Sequence, residues 1–242
     1  MSVYSNSQIF EAIKSGQIVF HPYQAQHING SSIDVTLGEY FYTPEDDAPK
    51  SGQDKLYNPY DPADVDRYFG TVKKALPLKE HAHIIQKFNL GQSIKNIPAD
   101  QPVIIMRPNE RILAHTHEFI GIKGNGTSSM QARSTTGRNG IAVCIDAGWG
   151  DPGYVNRWTM EIKNMNEHEH VVLPVGIRIA QLVFYETGPV EGEYSGLSGK
   201  YQTNSADDLS AIIKGWKPEQ MLPKAYKDEF KPLPAIDGVY DA

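Results

Sequence analysis

Apolar residues along this chain fall mostly in short, strand-length stretches separated by Gly, Pro or Asn. Ile33, Val35 and Leu37 alternate with Asp34 and Thr36, the period of a strand with one buried face. Strand signals also occur at His83 to Phe88, Val103 to Met106, Arg111 to His115, Glu118 to Ile122, Ile141 to Ile145, Arg157 to Lys163, Val171 to Leu173 and Ile177 to Tyr185. Helical spacing is brief. Ser5 and Gln8 predict a capping box, with Ile9, Phe10 and Ile13 as the apolar stripe and Gly16 as the stop. Ser205 and Asp208 are placed to cap a short helix carrying Leu209, Ile212 and Ile213, and a helical turn is expected near Asp61 to Tyr68. Many short strands with few helices argue for an antiparallel sandwich or barrel and against alternating βαβ units.

The chain divides into a main domain, 1–204, and a C-terminal extension, 205–242, expected to pack across its own surface or a neighbour's. Within the domain, 43–77 reads as an excursion from the sheet, rich in Pro, Asp and Tyr without sustained periodicity. With 242 residues the chain can bury a sizeable core. Lys and Arg number 23 against 29 Asp and Glu, a formal net charge of −6, so the basic footprint of a nucleic-acid binder is lacking and an anionic ligand must be met locally. Cys144 is the single cysteine, which rules out an internal disulfide and the His/Cys/Cys set by which zinc deaminases activate water. No run approaches the roughly 18 to 20 apolar residues that span a bilayer, and the N-terminal segment is polar, so a soluble, cytoplasmic protein without a membrane partner is expected.

Three stretches could carry chemistry. In QARSTTGRNG, Gln131 to Gly140, Arg133 and Arg138 offer forked charged donors, Ser134 and Thr135 offer hydroxyls, and Gly137 allows close backbone approach. That set suits a phosphate chain, although its spacing is not a P-loop and a solvated surface turn has the same composition. Between Asp146 and Tyr154, Gly and Pro force a tight turn in which Asp146 and Asp151 flank Trp149. Its backbone could read a base edge, or its carboxylates could simply bond their own turn. From Arg157 to Lys163, alternation sets Trp158, Met160 and Ile162 on one face, and Thr159 and Glu161 on the other. A partly desolvated Glu161 on a rigid strand is a candidate general base; paired with Lys163 or Arg157 it is an ordinary surface residue. Competing with these are the pairs His81/His83, His115/His117 and His168/His170, which with Glu118 or Glu169 could form a cupin-like metal site, or lie in solvated turns.

Taken in order, SSIDVTL, RSTTGRNGI, AGWGDPGY, TMEI, GIRIAQLVF and YSGLSGKYQ resemble the dCTP deaminase branch of the trimeric dUTPase superfamily, over roughly Ser5 to Gln202. The resemblance implies a distorted jelly-roll of the β-clip, dUTPase-like kind with a few short peripheral helices, assembled as a homotrimer with its sites at subunit interfaces. It implies deamination of dCTP to dUTP without zinc, and dUTP hydrolysis to dUMP and pyrophosphate in the same site. Magnesium would enter with the triphosphate, held mainly by its phosphates rather than by a protein metal set. By position, Glu161 matches the catalytic base, while Ser134 and Arg138 match groups that a neighbouring subunit contributes. Arg133 matches a basic phosphate contact, the Thr135 hydroxyl beside it is a further nucleotide-binding candidate, and the Ala147 carbonyl matches a contact near the reacting centre. Asp151 matches the carboxylate that holds the deoxyribose 3′-hydroxyl and helps place the hydrolytic water. Tyr194, Lys200, Tyr201 and Gln202 match the segment that closes over bound nucleotide. Trp149 before Asp151 resembles the bifunctional members, and Glu161 separates the chain from simple dUTPases. Asp146 stands where such proteins carry threonine and could recruit a cation. Asn139, Thr136 and Asn156 also depart from the pattern. The same resemblance leaves open a dUTP diphosphatase without deaminase activity, or a trimeric nucleotide-binding regulatory protein.

Overall fold

Capping chemistry starts the first helix where the sequence places it. In the computed structural model, which describes residues 2–44, 55–90, 94–145, 147–192, 194, 196, 199–202 and 204–231, Ser5 caps α1 (Asn6–Lys14) through a reciprocal bond with Gln8. Ile9 and Ala12 are buried on one face with Ile13 beside them, whereas Phe10 lies about 100° round the helix from Ile9 and is exposed. The expected stripe therefore loses Phe10 and gains Ala12.

The strands are β1 (Ile18–His21), β2 (Ile33–Tyr42), β3 (Lys73–Lys74), β4 (Leu76–Pro77), β5 (Pro102–Met106), β6 (Arg111–Thr116) and β7 (Phe119–Ile122). They continue with β8 (Gly126–Ala132), β9 (Ile141–Val143), β10 (Trp149–Gly150), β11 (Val155–Asn156), β12 (Thr159–Asn164), β13 (Val171–Pro174) and β14 (Arg178–Glu186). The main sheet runs β10-β8-β14-β2-β6-β12-β9, with β3 beside β2; β1-β7-β11 and β13-β5-β4 form two smaller sheets, and every pair is antiparallel. The architecture is all-β and jelly-roll-like, with short helices at its margin: α2 (Pro62–Phe69), α3 (Ala82–Lys87), α4 (Ser134–Arg138) and α5 (Leu209–Gly215).

Two readings need correction. His83 to Phe88 lies in α3 and the residue that follows it, because no strand pairs there and the Phe88 N–H turns back to the Ile84 carbonyl. Both faces of β2 are buried from Ile33 to Leu37, so its period-two pattern does not mark a solvent face. Asp34, 1% exposed, is held there by Arg178 at 3.0 Å and Arg133 at 3.3 Å, and Thr36 is held by the Glu118 carboxylate at 2.6 and 2.9 Å. The polar strand β8, GTSSMQA, pairs along its whole length with β14, yet lacks the alternation that would announce it.

At Gly38 the β2–β6 register breaks, and the His115 ring fills the gap. Its Nε2 accepts the Tyr40 N–H at 3.2 Å while Nδ1 meets the Thr116 carbonyl at 2.8 Å, so the imidazole replaces a missing ladder partner. A Cβ at Gly38 would overlap that ring. Beyond the main core, Val65 and Phe69 of the excursion pack with Tyr42, Leu113 and Met221, joining excursion and extension in one satellite core. Asp208 caps α5 by accepting the Ala211 N–H, and Trp216, just after it, packs tilted against the His115 ring and takes the Arg157 guanidinium over its face.

Candidate functional site

Alternation along β12 buries Met160, Ile162 and Asn164 and turns Thr159, Glu161 and Lys163 to the other, half-exposed face. Glu161 is fixed from both sides: it stands opposite Leu113 of β6, and its carbonyl accepts the Cys144 N–H at 3.0 Å. Cys144 takes a left-handed φ of 53° as the chain leaves β9. Burial, and secondarily the Glu161 charge, push its thiol well above the ordinary range, so it is no nucleophile at neutral pH. The chain then returns through β10, whose Trp149 and Gly150 pair with Ser129 and Ser128. Gly150 is required by proximity, since a Cβ there would overlap the Trp158 ring.

These segments enclose a cavity of about 350 Å³. Glu161, Thr159, Asp151, Trp149 and Ala147 line it together with Tyr194 and Tyr201 from the segment after β14, over an aromatic base of Tyr154 and Trp158. Leu113, Met221 and Pro223 complete the wall. Burial raises the phenol pKa values of Tyr154 and Tyr194, so both hydroxyls stay protonated at neutral pH. A second hollow shares Asp151, Tyr194 and Tyr201 and adds Lys200, which is ion-paired with Asp228.

Six of the expected residues thus converge: Glu161, Asp151, Ala147, Trp149, Tyr194 and Tyr201, with Lys200 in the adjoining hollow. Gln202 does not enter the cavity. It is 4% exposed and turned inward, accepting the Val155 N–H at 2.7 Å and donating to the Gly153 and Asn204 carbonyls at 3.0 Å. Arg133, Ser134, Thr135 and Arg138 are not brought to Glu161 within the one chain. Arg133 is engaged by Asp34 and borders, with Thr135, a different groove; no residue of α4 is buried. Asp146 lies outside the described residues. Leu113, Thr159, Tyr154, Trp158, Met221 and Pro223 were not among the expected site residues; the last two sit in a proline-spaced tail without periodicity.

The histidine pairs are dispersed. His115 is buried and bonded as above, His81 Nε2 meets the Leu76 carbonyl at 3.3 Å, and His168 is exposed beside Glu167. Glu118 is taken up by Thr36, and among the described residues no three His, Cys, Asp or Glu side chains gather into a metal-holding group. Among these residues, too, no helix is long and apolar enough to cross a membrane.

A family model described as dCTP deaminase-like matches residues 3–187. The chain is 29% identical over 208 residues to a protein of Methanopyrus kandleri named dCTP deaminase, dUMP-forming, across 83% of this chain and 91% of that one. A protein of Nanoarchaeum equitans with the same name is 28% identical over 211 residues, covering 87% and 97% of the two chains. The crystal structure of 2′-deoxycytidine 5′-triphosphate deaminase from Agrobacterium tumefaciens aligns with 75% of this chain and 46% of its own, at 12% identity and a TM-score of 0.48, a likeness too slight to build on.

Proposed function

Because this chain belongs to the dCTP deaminase-like family, we propose that its cavity deaminates dCTP to dUTP and then cleaves dUTP to dUMP and pyrophosphate. The two relatives' shared name joins the same substrate to the same final nucleotide. What carries the reading is the meeting of a strand-borne carboxylate, Glu161, with Asp151, Trp149 and the two tyrosines of the closing segment in one partly enclosed cavity.

Glu161 takes a proton from water, and the hydroxide bonds to C4 of cytosine as the C4–N3 π pair moves to N3, which receives that proton. Glu161 next carries the proton of the new C4 hydroxyl to the exocyclic amine. The C4–N bond breaks, ammonia leaves and the C4 carbonyl forms. The aromatic walls and the buried phenol groups keep bulk water from the ring, and fixed dipoles do the polarising. Zinc has no part in this reading, since the chain's one cysteine cannot supply the usual donor set and the described carboxylates and imidazoles do not cluster. In the second reaction Asp151 accepts a bond from the deoxyribose 3′-hydroxyl and orients the water that attacks the α-phosphorus, with pyrophosphate as leaving group.

Among the described residues, the lining of the cavity carries two carboxylates and neither Lys nor Arg, a poor host for a triphosphate by itself. Charge balance therefore comes from outside it: from Lys200, from Mg²⁺ arriving as part of the substrate, and from a neighbouring copy. In a homotrimer, exposed α4 of one copy presents Ser134, Thr135 and Arg138, with Arg133, to the next copy's cavity. The test is to incubate pure protein with Mg²⁺ and dCTP or dUTP and resolve dUTP, dUMP and pyrophosphate. Glu161→Gln is expected to lower deamination about 10²- to 10⁴-fold while nucleotide still binds. Turnover of dUTP alone makes the protein a diphosphatase, and turnover of neither nucleotide refutes the proposal.

A further inference from the structure

Four cavity residues, Tyr194, Tyr201, Met221 and Pro223, come from beyond the stretch that the family model matches. That match ends at residue 187, whereas Met221 and Pro223 belong to the segment after residue 204 and line the same wall as Leu113. Leu113 stands opposite Glu161 in register, and Met221, 3% exposed, packs with it in the satellite core of Tyr42, Val65 and Phe69. This wall is anchored. Met221 ends the tight helical turn Pro218–Met221, the Lys224 ammonium donates to the Lys200 carbonyl at 3.1 Å, and Asp228 pairs with Lys200.

We infer that Met221 and Pro223 determine which substituent the cavity accepts at C5 of the pyrimidine; this rests on the proposed reading of the cavity as a deoxycytidine nucleotide site. The ring atom that Glu161 serves, C4, has two ring neighbours. N3 is a hydrogen-bond acceptor and needs a donor, while C5–H is apolar and is the edge that an apolar wall can meet without an unsatisfied group. Leu113 and Met221 form that wall beside Glu161. Truncating Met221 to alanine removes Cγ, Sδ and Cε from it and opens room for a methyl group. A single methyl-sized change in an apolar pocket typically alters substrate discrimination about tenfold or more.

The experiment sets dCTP against 5-methyl-dCTP in competition, using the full chain and reading the ratio of their kcat/KM values. Met221→Ala is expected to raise the 5-methyl-dCTP to dCTP ratio about tenfold, and Met221→Leu, near in volume, to keep it within about twofold of wild type. Loss of fold alone would lower both substrates together, so the ratio separates specificity from damage. Should Met221→Ala not fold, Pro223→Ala carries the same expectation at about threefold. An unchanged ratio in a folded Met221→Ala or Pro223→Ala protein that still turns over dCTP overturns the inference and leaves the functional reading standing. A wild-type protein that neither converts dCTP nor binds it in calorimetry overturns both.

Discussion

Mild acid should loosen this fold through one imidazole. His115 is 1% exposed, with Nε2 accepting the Tyr40 N–H at 3.2 Å and Nδ1 beside the Thr116 carbonyl at 2.8 Å. A proton on Nε2 would turn that acceptor into a donor facing another donor. Burial is the larger cause, and the Thr116 bond opposes it only partly, so the pKa falls from 6.5 to about 3. The unfolded chain binds the proton below about pH 6.5 and the native chain does not until about pH 3, so stability rises with pH between those limits. This contribution is complete above about pH 6.5 and is lost as the pH falls. From about pH 7.5 to about pH 5 the loss is about 2 kcal/mol, at about 1.4 kcal/mol per pH unit below the unfolded pKa. Urea unfolding at the two pH values measures it, with His115→Gln as reference: the variant is weaker at the higher pH but shows a pH dependence shallower by about 2 kcal/mol. The reasoning fails if the native His115 ring titrates near pH 6.5 by NMR, or if variant and wild type lose stability in parallel. Because His115 lies opposite Thr159, this loss reaches the strand that carries Glu161.

Three further expectations follow from buried groups. Asp34→Ala strands the partners of a fully buried carboxylate, Arg178 and Arg133; both arginines are partly solvated, so the cost lies at the low end, about 3 kcal/mol by urea unfolding, and a loss within error of zero would contradict it. Gln202→Ala leaves the buried Val155 N–H without its acceptor and should cost about 1–3 kcal/mol, while a variant as stable as wild type would show that the side chain is not holding its own segment to the turn at Gly153. Cys144 should resist iodoacetamide in the native protein at neutral pH and react once urea unfolds it; rapid native labelling would mean that the thiol is neither buried nor protonated.

Much of the frame was legible from short apolar runs of strand length: β5, β6, β7, β13 and β14 lie where such runs occur, β12 lies where apolar and polar residues alternate, and the Ser5–Gln8 box starts its helix on local chemistry alone. Where polar groups are buried in pairs, the pattern misleads. Asp34 and Thr36 look like solvent positions on β2 but are satisfied from Arg178 and Glu118, distant in sequence. Thr127 and Ser128 are likewise buried on β8, with the Thr127 hydroxyl donating to the Gly150 carbonyl at 2.7 Å. On the site, Glu161 and Asp151 stand on a strand and a turn whose local sequence declares them. Met221 and Pro223 reach the cavity only through the tertiary packing of a tail on an excursion, a contact for which no local signal exists.

The central claim is that one copy supplies the base and another the phosphate-binding cations, and mixing two impaired variants tests it most directly. Glu161→Gln and Arg138→Ala proteins, each expected to be trimeric and strongly impaired on dCTP by itself, are unfolded, combined in equal amounts and refolded. Random assembly places an intact Glu161 opposite an intact Arg138 in about one quarter of the sites, and deaminase activity should return to about that share of wild type. A mixture that stays inactive although mixed trimers form, or an Arg138→Ala protein with full activity, would contradict the account.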